Sequence, residues 1–233
     1  MTIALLPGDA RQRYLGDLLG REGHEIVPYV PGEKADAWLF PLPTGDHPAL
    51  AELPPDSLAL VGKARGDHPR LRLRDYYSGE AVQLMNAAIT AEGAIAAAIG
   101  HTGRTLLGSR VLILGGGRIS RALAPRLRAL GAAVTVYARR AEERAVAFGT
   151  GCEVLSVLPA QPEGWDLLFN TVPFPILDKA PDCPAIELAS APGGFRDPGG
   201  VIPAGGLPGK TAPHSAAEAL LEPIRAILRE EAS

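Results

Sequence analysis

Val111-Leu112-Ile113-Leu114-Gly115-Gly116-Gly117-Arg118-Ile119-Ser120 decides the fold. Four aliphatic residues in a row suit a buried strand, three glycines suit a tight turn, and Arg118 onward suits the start of a helix. The pattern Gly115-x-Gly117-x-x-Ser120 gains meaning from that strand–turn–helix context. Gly115 permits the turn, Gly117 lets a pyrophosphate approach the backbone, and the small Ser120 lets the helix pack on the strand. The N–H groups of Gly116, Arg118 and Ile119, at the positive end of the helix, are the expected phosphate holders. A glycine turn in a fold that binds no nucleotide is the plain alternative.

The next strand ends Val134-Thr135-Val136-Tyr137-Ala138-Arg139-Arg140. An NAD site expects a carboxylate for the ribose roughly 20 residues after the turn, near Ala138. The local sequence offers Arg139 and Arg140 instead, and guanidinium suits a 2′-phosphate. NADP is therefore the expected cofactor, with Arg139 and Arg140 as its clamp. Solvated surface arginines are the alternative.

Short aliphatic runs alternate with helical stretches on both sides of this turn. Strands are expected over residues 2–6, 24–30, 35–42, 57–61 and 71–76, then 110–114, 133–137, 166–171, 186–189 and 201–204. Helices are expected over 10–22, 79–99, 119–130, 141–148 and 215–230, the last interrupted at Pro223. Such alternation gives an α/β fold with parallel sheets and right-handed crossovers. Two Rossmann-like domains follow: 1–78 on the substrate side, and 109–212 for the dinucleotide. A helix and linker over 79–108 joins them, and a C-terminal helix, 213–233, returns to the first domain. The first domain is small for an independent core, and that helix supplies apolar cover.

The composition excludes other classes. The chain has 233 residues, 46% hydrophobic and 21% charged, which is ordinary for a globular protein and rules out wholesale disorder. A net charge of −3 with no dense Lys/Arg block argues against nucleic acid. The apolar run 93–100 falls short of the roughly 20 residues a membrane span needs. The opening Met1-Thr2-Ile3-Ala4-Leu5-Leu6-Pro7 lacks a basic flank, so no signal peptide is expected there. Cys152 and Cys183, with scattered histidines, show no ligand spacing; no metal site is expected, and a cytoplasmic location is the default.

Several blocks resemble the dipicolinate synthase A chain family: Gly8-Asp9-Ala10-Arg11-Gln12, Pro41-Leu42-Pro43, and the run from Asn86 through Thr90-Ala91-Glu92-Gly93. Asn170-Thr171-Val172-Pro173, Leu188-Ala189-Ser190-Ala191-Pro192-Gly193-Gly194, and Gly206-Leu207-Pro208-Gly209-Lys210-Thr211-Ala212-Pro213 continue the likeness. The layout also resembles the wider D-2-hydroxyacid and alanine dehydrogenase group. Pro7 and Glu187 depart from the family, which usually has Gly and Asp there. The resemblance implies NADP-dependent oxidation of dihydrodipicolinate, or its hydrated precursor, to dipicolinate. It also implies a partner, the flavoprotein-like second subunit of the synthase, and sporulation, in the mother-cell cytoplasm, as the setting. Self-association is left open.

Ligands of α/β folds collect at the carboxyl ends of strands. Arg11 and Lys210 are the expected carboxylate binders of a dicarboxylate substrate, one from each domain, Lys210 in a loop with no helical reason for a lysine. Ser190 with the N–H groups of Gly193 and Gly194 forms an expected anion-holding turn. Asn170, Thr171, Val172 and Pro173 are placed beside the cofactor, and Thr90 caps the long helix. Glu92, in the first turn after Thr90, together with His214, Tyr77 and Lys210, supplies the acid–base candidates. Two other readings stay open: a shikimate-dehydrogenase-like NADP reductase, suggested by Ala138-Arg139-Arg140 and Arg144-Ala145, and a non-catalytic NADP-binding regulatory subunit.

Overall fold

The computed structural model describes residues 1–160 and 162–232. The chain divides into two compact units, Met1–Asn86 with Pro208–Ser233, and Ala87–Leu207. The first unit opens with β1 (Thr2–Leu5), which leads through Pro7-Gly8-Asp9 into α1 (Ala10–Arg21). Then come β2 (Glu25–Pro28), β3 (Ala37–Leu39), α2 (Ala49–Glu52), β4 (Leu58–Val61) and β5 (Arg72–Asp75). The strands make one parallel sheet in the order β2-β1-β3-β4-β5. Successive side chains on a strand point to opposite faces, so aliphatic runs feed two cores. Ile3, Leu39, Leu58 and Leu60 pack on one face with Leu15 and Leu19 of α1. Ala4, Leu6, Trp38, Phe40, Ala59 and Val61 pack on the other with Leu50 and Leu53.

The chain passes into the second unit along α3 (Glu80–Thr102), one continuous 23-residue helix. Thr90 therefore lies in the helix interior rather than at its start, and Glu92 is mid-helix rather than in a first turn. Read as a whole, α3 is long and apolar enough to cross a membrane, unlike the 93–100 run alone. Its Ala91, Ala94 and Ala98 pack fully into the core of the second unit.

That unit continues with β6 (Arg110–Leu114), α4 (Arg118–Ala129), β7 (Ala133–Tyr137), α5 (Ala141–Gly149), β8 (Glu153–Leu155) and β9 (Leu167–Asn170). β10 (Leu177–Lys179), β11 (Ala185–Glu187), β12 (Phe195–Asp197) and β13 (Val201–Pro203) complete it. Six parallel strands are ordered β13-β11-β9-β6-β7-β8. Numbered within this six-stranded sheet, that is 6-5-4-1-2-3, the doubly wound dinucleotide-binding order. The strand order reverses between β6 and β9, where Leu114 pairs with Asn170. Val111 and Ile113 serve the core shared with α3 and α4, and Leu112 and Leu114 serve the opposite face. β10 and β12 form a separate parallel pair. The three-residue strands β8, β10 and β12, and the single turn α2, are too short to show a period in sequence.

The chain returns to the first unit through α6 (Leu207–Thr211) and α7 (Pro213–Glu231). Lys210 therefore sits in a short helix, not a loop, and falls in the same unit as Arg11. The expectation of one cation from each domain is corrected accordingly. α7 lies against α1, with Ala217, Leu220, Leu221, Ile224, Ile227 and Leu228 completing the core around Leu15 and Leu19. Pro223 does not interrupt it. An interior proline costs about 3 kcal/mol, while each fully buried Leu or Ile contributes about 1.5–3 kcal/mol. The buried stripe outweighs the lost hydrogen bond. Charges fasten the packing: Arg225 Nε donates to Glu22 at 2.7 Å, and Arg72 and Arg74 of β5 reach Glu231 at 2.7 and 2.5 Å.

Candidate functional site

A cavity of about 550 Å³ opens at the carboxyl ends of β6, β7 and β9, where the strand order reverses. Gly115, Gly116 and Gly117 form its floor, Tyr137–Arg140 and Glu143 one side, and Thr171–Phe174 the other. The three glycines do different work. Gly115 has φ +99°, and a Cβ there would lie 2.5 Å from Thr171 Oγ1. A Cβ on Gly116 would lie 2.5 Å from Glu143 Cβ and 3.1 Å from Ala138 Cβ. A Cβ on Gly117 would meet nothing within 4 Å. Gly117 is the extended N-cap residue of α4 and brings no side chain to that helix start. Open space and the N-terminal end of the helix dipole together fit a pyrophosphate. Ser120 is buried beneath the turn, and Ile119 packs against the core, leaving its backbone N–H as its means of contact. Arg118 opens α4 on an exposed position.

The turn is braced from the next strand. Thr171 donates through both its N–H and its hydroxyl to Leu114 O, at 2.9 and 2.7 Å. Thr171, Val172 and Pro173 thus become a fixed wall of the cavity. Asn170 stands behind that wall, fully buried. Its Nδ2 donates to Val172 O at 2.8 Å and to Glu187 Oε1 at 2.6 Å, and its Oδ1 accepts from Val172 N at 3.1 Å. Asn170 is spent on holding the turn and does not line the cavity, which corrects its expected role as a cofactor contact. Glu187 also accepts from Ala189 N at 2.8 Å and Gly194 N at 2.9 Å. Of the expected anion-holding turn, only Gly194 N meets a carboxylate, this chain's own Glu187, while Gly193 N donates to Ser190 O at 3.1 Å. A Cβ on Gly194 would lie 2.5 Å from Asn170, so the glycine is needed for this close approach.

On the opposite wall Arg139 lies 4.9 Å over the Phe174 ring. Arg140 is ion-paired with Glu143, its Nε donating to Oε1 at 2.9 Å. The side chain of Glu143 is 12% exposed and that of Arg140 72%. The sequence reading found no carboxylate near Ala138; the first turn of α5 folds one back to that place. A signal was available in Glu143 itself, three residues beyond Arg140 and so on the same helical face.

The remaining candidates are distributed over both units. Arg11 is buried in the first unit. Its Nε donates to Asp9 at 2.9 and 3.0 Å, and its Nη2 to Asp9 at 2.5 Å and Leu42 O at 2.5 Å. Asp9 in turn caps α1 by accepting from Arg11 N at 3.0 Å. Arg11 thus ties the loop after β1 to the loop after β3, and most of its donors are spent on the protein. Gly209, beside Lys210, has no room for a Cβ because Asp9 packs against it. His214 sits in the first turn of α7, 5.1 Å from the Tyr14 ring edge-on and 3.5 Å from Glu218. Tyr77 is buried with Lys63 Nζ 4.8 Å over its ring. Glu92 lies in the second unit, paired with Arg126 at 3.3 Å.

Comparison with known proteins agrees with this geometry. Residues 81–173 match the family model of the D-isomer specific 2-hydroxyacid dehydrogenase NAD binding domain, a stretch that holds the glycine turn and Thr171–Pro173. The dipicolinate synthase A chain of Bacillus subtilis (strain 168) is 32% identical over 173 residues, covering 68% of this chain. The match spans 58% of that relative's own length. The crystal structure of the dipicolinate synthase A chain from Bacillus subtilis superposes with a TM-score of 0.79 at 23% identity, covering 99% of this chain and 96% of that one. The structure of its counterpart from Bacillus halodurans gives 0.81 at 24% identity, covering 97% of each. These structures establish the shared fold. With its glycine turn, strand order and matched sequence taken together, the chain is a dehydrogenase-family, NAD-binding protein and a relative of the dipicolinate synthase A chain.

Proposed function

We propose that this chain is an NADP-preferring oxidoreductase that oxidises dihydrodipicolinate, or its hydrated precursor, to dipicolinate. The observation that carries the reading is the sequence match to the dipicolinate synthase A chain, together with two arginines at the ribose end of a cavity built for a dinucleotide. The oxidation removes two electrons and two protons from the dihydro ring, and the hydrated precursor must also release a water. NADP, when bound, would supply the hydride acceptor, and a base of the chain would take the remaining proton. The chain's own residues bind and orient the cofactor. The α4 N-terminus would hold its pyrophosphate and Arg139 and Arg140 a 2′-phosphate, while Thr171–Pro173 bound the cavity.

In this reading Lys210 and Arg11 hold the substrate carboxylates, since charge-assisted contacts suit a dicarboxylate. His214 is the base, at the start of α7 just beyond Lys210. Glu92 is the weaker candidate, because Arg126 already neutralises it. The partner is the flavoprotein-like second subunit of that synthase, and the setting is the mother-cell cytoplasm during sporulation.

The test is direct. Purified chain with NADP⁺ and freshly generated dihydrodipicolinate is followed for NADPH and for dipicolinate, with and without the flavoprotein partner. Stoichiometric formation of both products is expected in at least one arrangement. Absence of both products, with and without the partner, would reject the substrate assignment.

A further inference from the structure

Rossmann sites choose between NAD and NADP at the end of the second strand, beside the ribose of the adenosine half. In this chain that strand is β7, and the residues following it are Ala138, Arg139 and Arg140. Glu143 intrudes on the same place from α5. Its Cβ is close enough to Gly116 to leave no room for another Cβ, and Ala138 is the next nearest residue to that point. Two properties separate it from an incidental surface acid. Its side chain is 12% exposed, so the carboxylate is held where it is, while the arginine that neutralises it is 72% exposed and can swing away. It also lines the cavity together with Arg139, Arg140 and Gly115–Gly117.

We infer that Glu143 is a cofactor-selecting residue: an acceptor for an unphosphorylated ribose, and a counterweight to the two arginines toward a 2′-phosphate. The inference rests on the dinucleotide reading above and limits its preference for NADP. With NAD, the ribose hydroxyl donates to the Glu143 carboxylate while Arg140 stays paired. With NADP, the phosphate competes with Glu143 for Arg140. A phosphate oxygen cannot donate to the carboxylate, and two anions then face each other in a partly enclosed cavity. The site accommodates NADP only by using Arg139 and Arg140 against Glu143. Removing the carboxylate therefore frees Arg140 for the phosphate and deprives NAD of its acceptor.

The experiment titrates NADPH and NADH by fluorescence into the full chain at one fixed ionic strength, for the parent, Glu143→Gln, Arg140→Ala and the double variant. Glu143→Gln keeps the side-chain volume and is expected to raise the ratio of NADPH to NADH affinity about tenfold. Arg140→Ala leaves Glu143 without its counter-charge and is expected to lower that ratio about tenfold. The double variant is expected to bind NADPH more tightly than Arg140→Ala alone. Circular dichroism of each variant confirms that α5 is intact. A parent that binds neither dinucleotide overturns the cofactor reading and this inference with it. A parent that binds one or both, with a ratio that Glu143→Gln moves by less than twofold, overturns the inference alone.

Discussion

Gly115 and Gly117 are two residues apart, and the structure assigns them opposite sensitivities. Gly115 has φ +99°, and its missing Cβ would strike Thr171 Oγ1. That hydroxyl is tied to Leu114 O, so it cannot give way without losing a hydrogen bond. Gly115→Ala should therefore destabilise the fold by about 2 kcal/mol or more, from backbone strain plus overpacking, read as a lowered melting temperature without ligand. Gly117 has an ordinary extended φ and open space around it. Gly117→Ala should cost about 1 kcal/mol or less in stability, yet weaken dinucleotide binding at least tenfold, about 1.4 kcal/mol. Equal loss of stability in both variants would contradict this division. Both glycines were legible in the sequence, because strand, turn and helix signals coincide within ten residues. The inward placement of the Glu143 side chain and the bracing role of Asn170 were not. A spacing rule looks for the ribose acceptor at the strand end, while Glu143 arrives from the following helix. Asn170 sits in a turn motif whose side-chain direction only tertiary packing determines.

At the scale of elements, β11 and β9 are locked by more than their ladder. Glu187 at the end of β11 accepts from Asn170 on β9 and from the N–H groups of Ala189 and Gly194. Glu187→Ala leaves these donors without that acceptor in a half-buried place, at about 1–3 kcal/mol for each that stays unsatisfied. A loss of about 2–4 kcal/mol in chemical denaturation is expected, with Glu187→Gln intermediate. The cofactor wall should loosen with it, since Asn170 fixes Val172. A variant as stable as the parent would remove the network from the account. The packing of α7 on α1 offers a pH test. The hydrogen bond from Arg225 holds the Glu22 carboxyl below its ordinary value of 4.5, against an opposing push from burial. A depressed folded value means that this stabilisation is complete above the ordinary value and is lost as pH falls through it toward the folded one. Both partners are partly exposed, so solvent screens the pair and its contribution is small. Glu22→Gln should lose that increment at neutral pH and show a shallower fall in stability below pH 4.5. The apolar stripe of α7 was plain in the sequence, and its continuity through Pro223 was not. Helix propensity alone penalises that proline, and only the docked stripe outweighs it.

At the scale of the whole molecule, the chain leaves its first unit at Asn86 and re-enters it at Pro208. The alternation of strands and helices made the two parallel sheets legible, but it could not show which unit owns α6 and Lys210. That ownership is set by packing between segments more than a hundred residues apart. The consequence is an asymmetric response to truncation. The first unit needs α7, because Leu15, Leu19, Ile3 and Leu60 share one core with Leu220, Leu221, Ile224 and Leu228. The second unit carries its own core, from Ala91 to Leu207, and every residue lining the dinucleotide cavity lies within it. A chain ending at Ala212 should therefore expose the apolar faces of α1 and the first sheet, about 1.5–3 kcal/mol for each large side chain uncovered, and become aggregation-prone. The fragment of residues 87–207 should instead stay soluble and keep dinucleotide binding within about tenfold of the full chain, roughly 1.4 kcal/mol. Solubility, melting and NADPH titration of the two products separate the cases. If the chain ending at Ala212 melts like the parent, α7 is dispensable. If residues 87–207 fold but bind no dinucleotide, the cofactor depends on contacts beyond the cavity of the second unit.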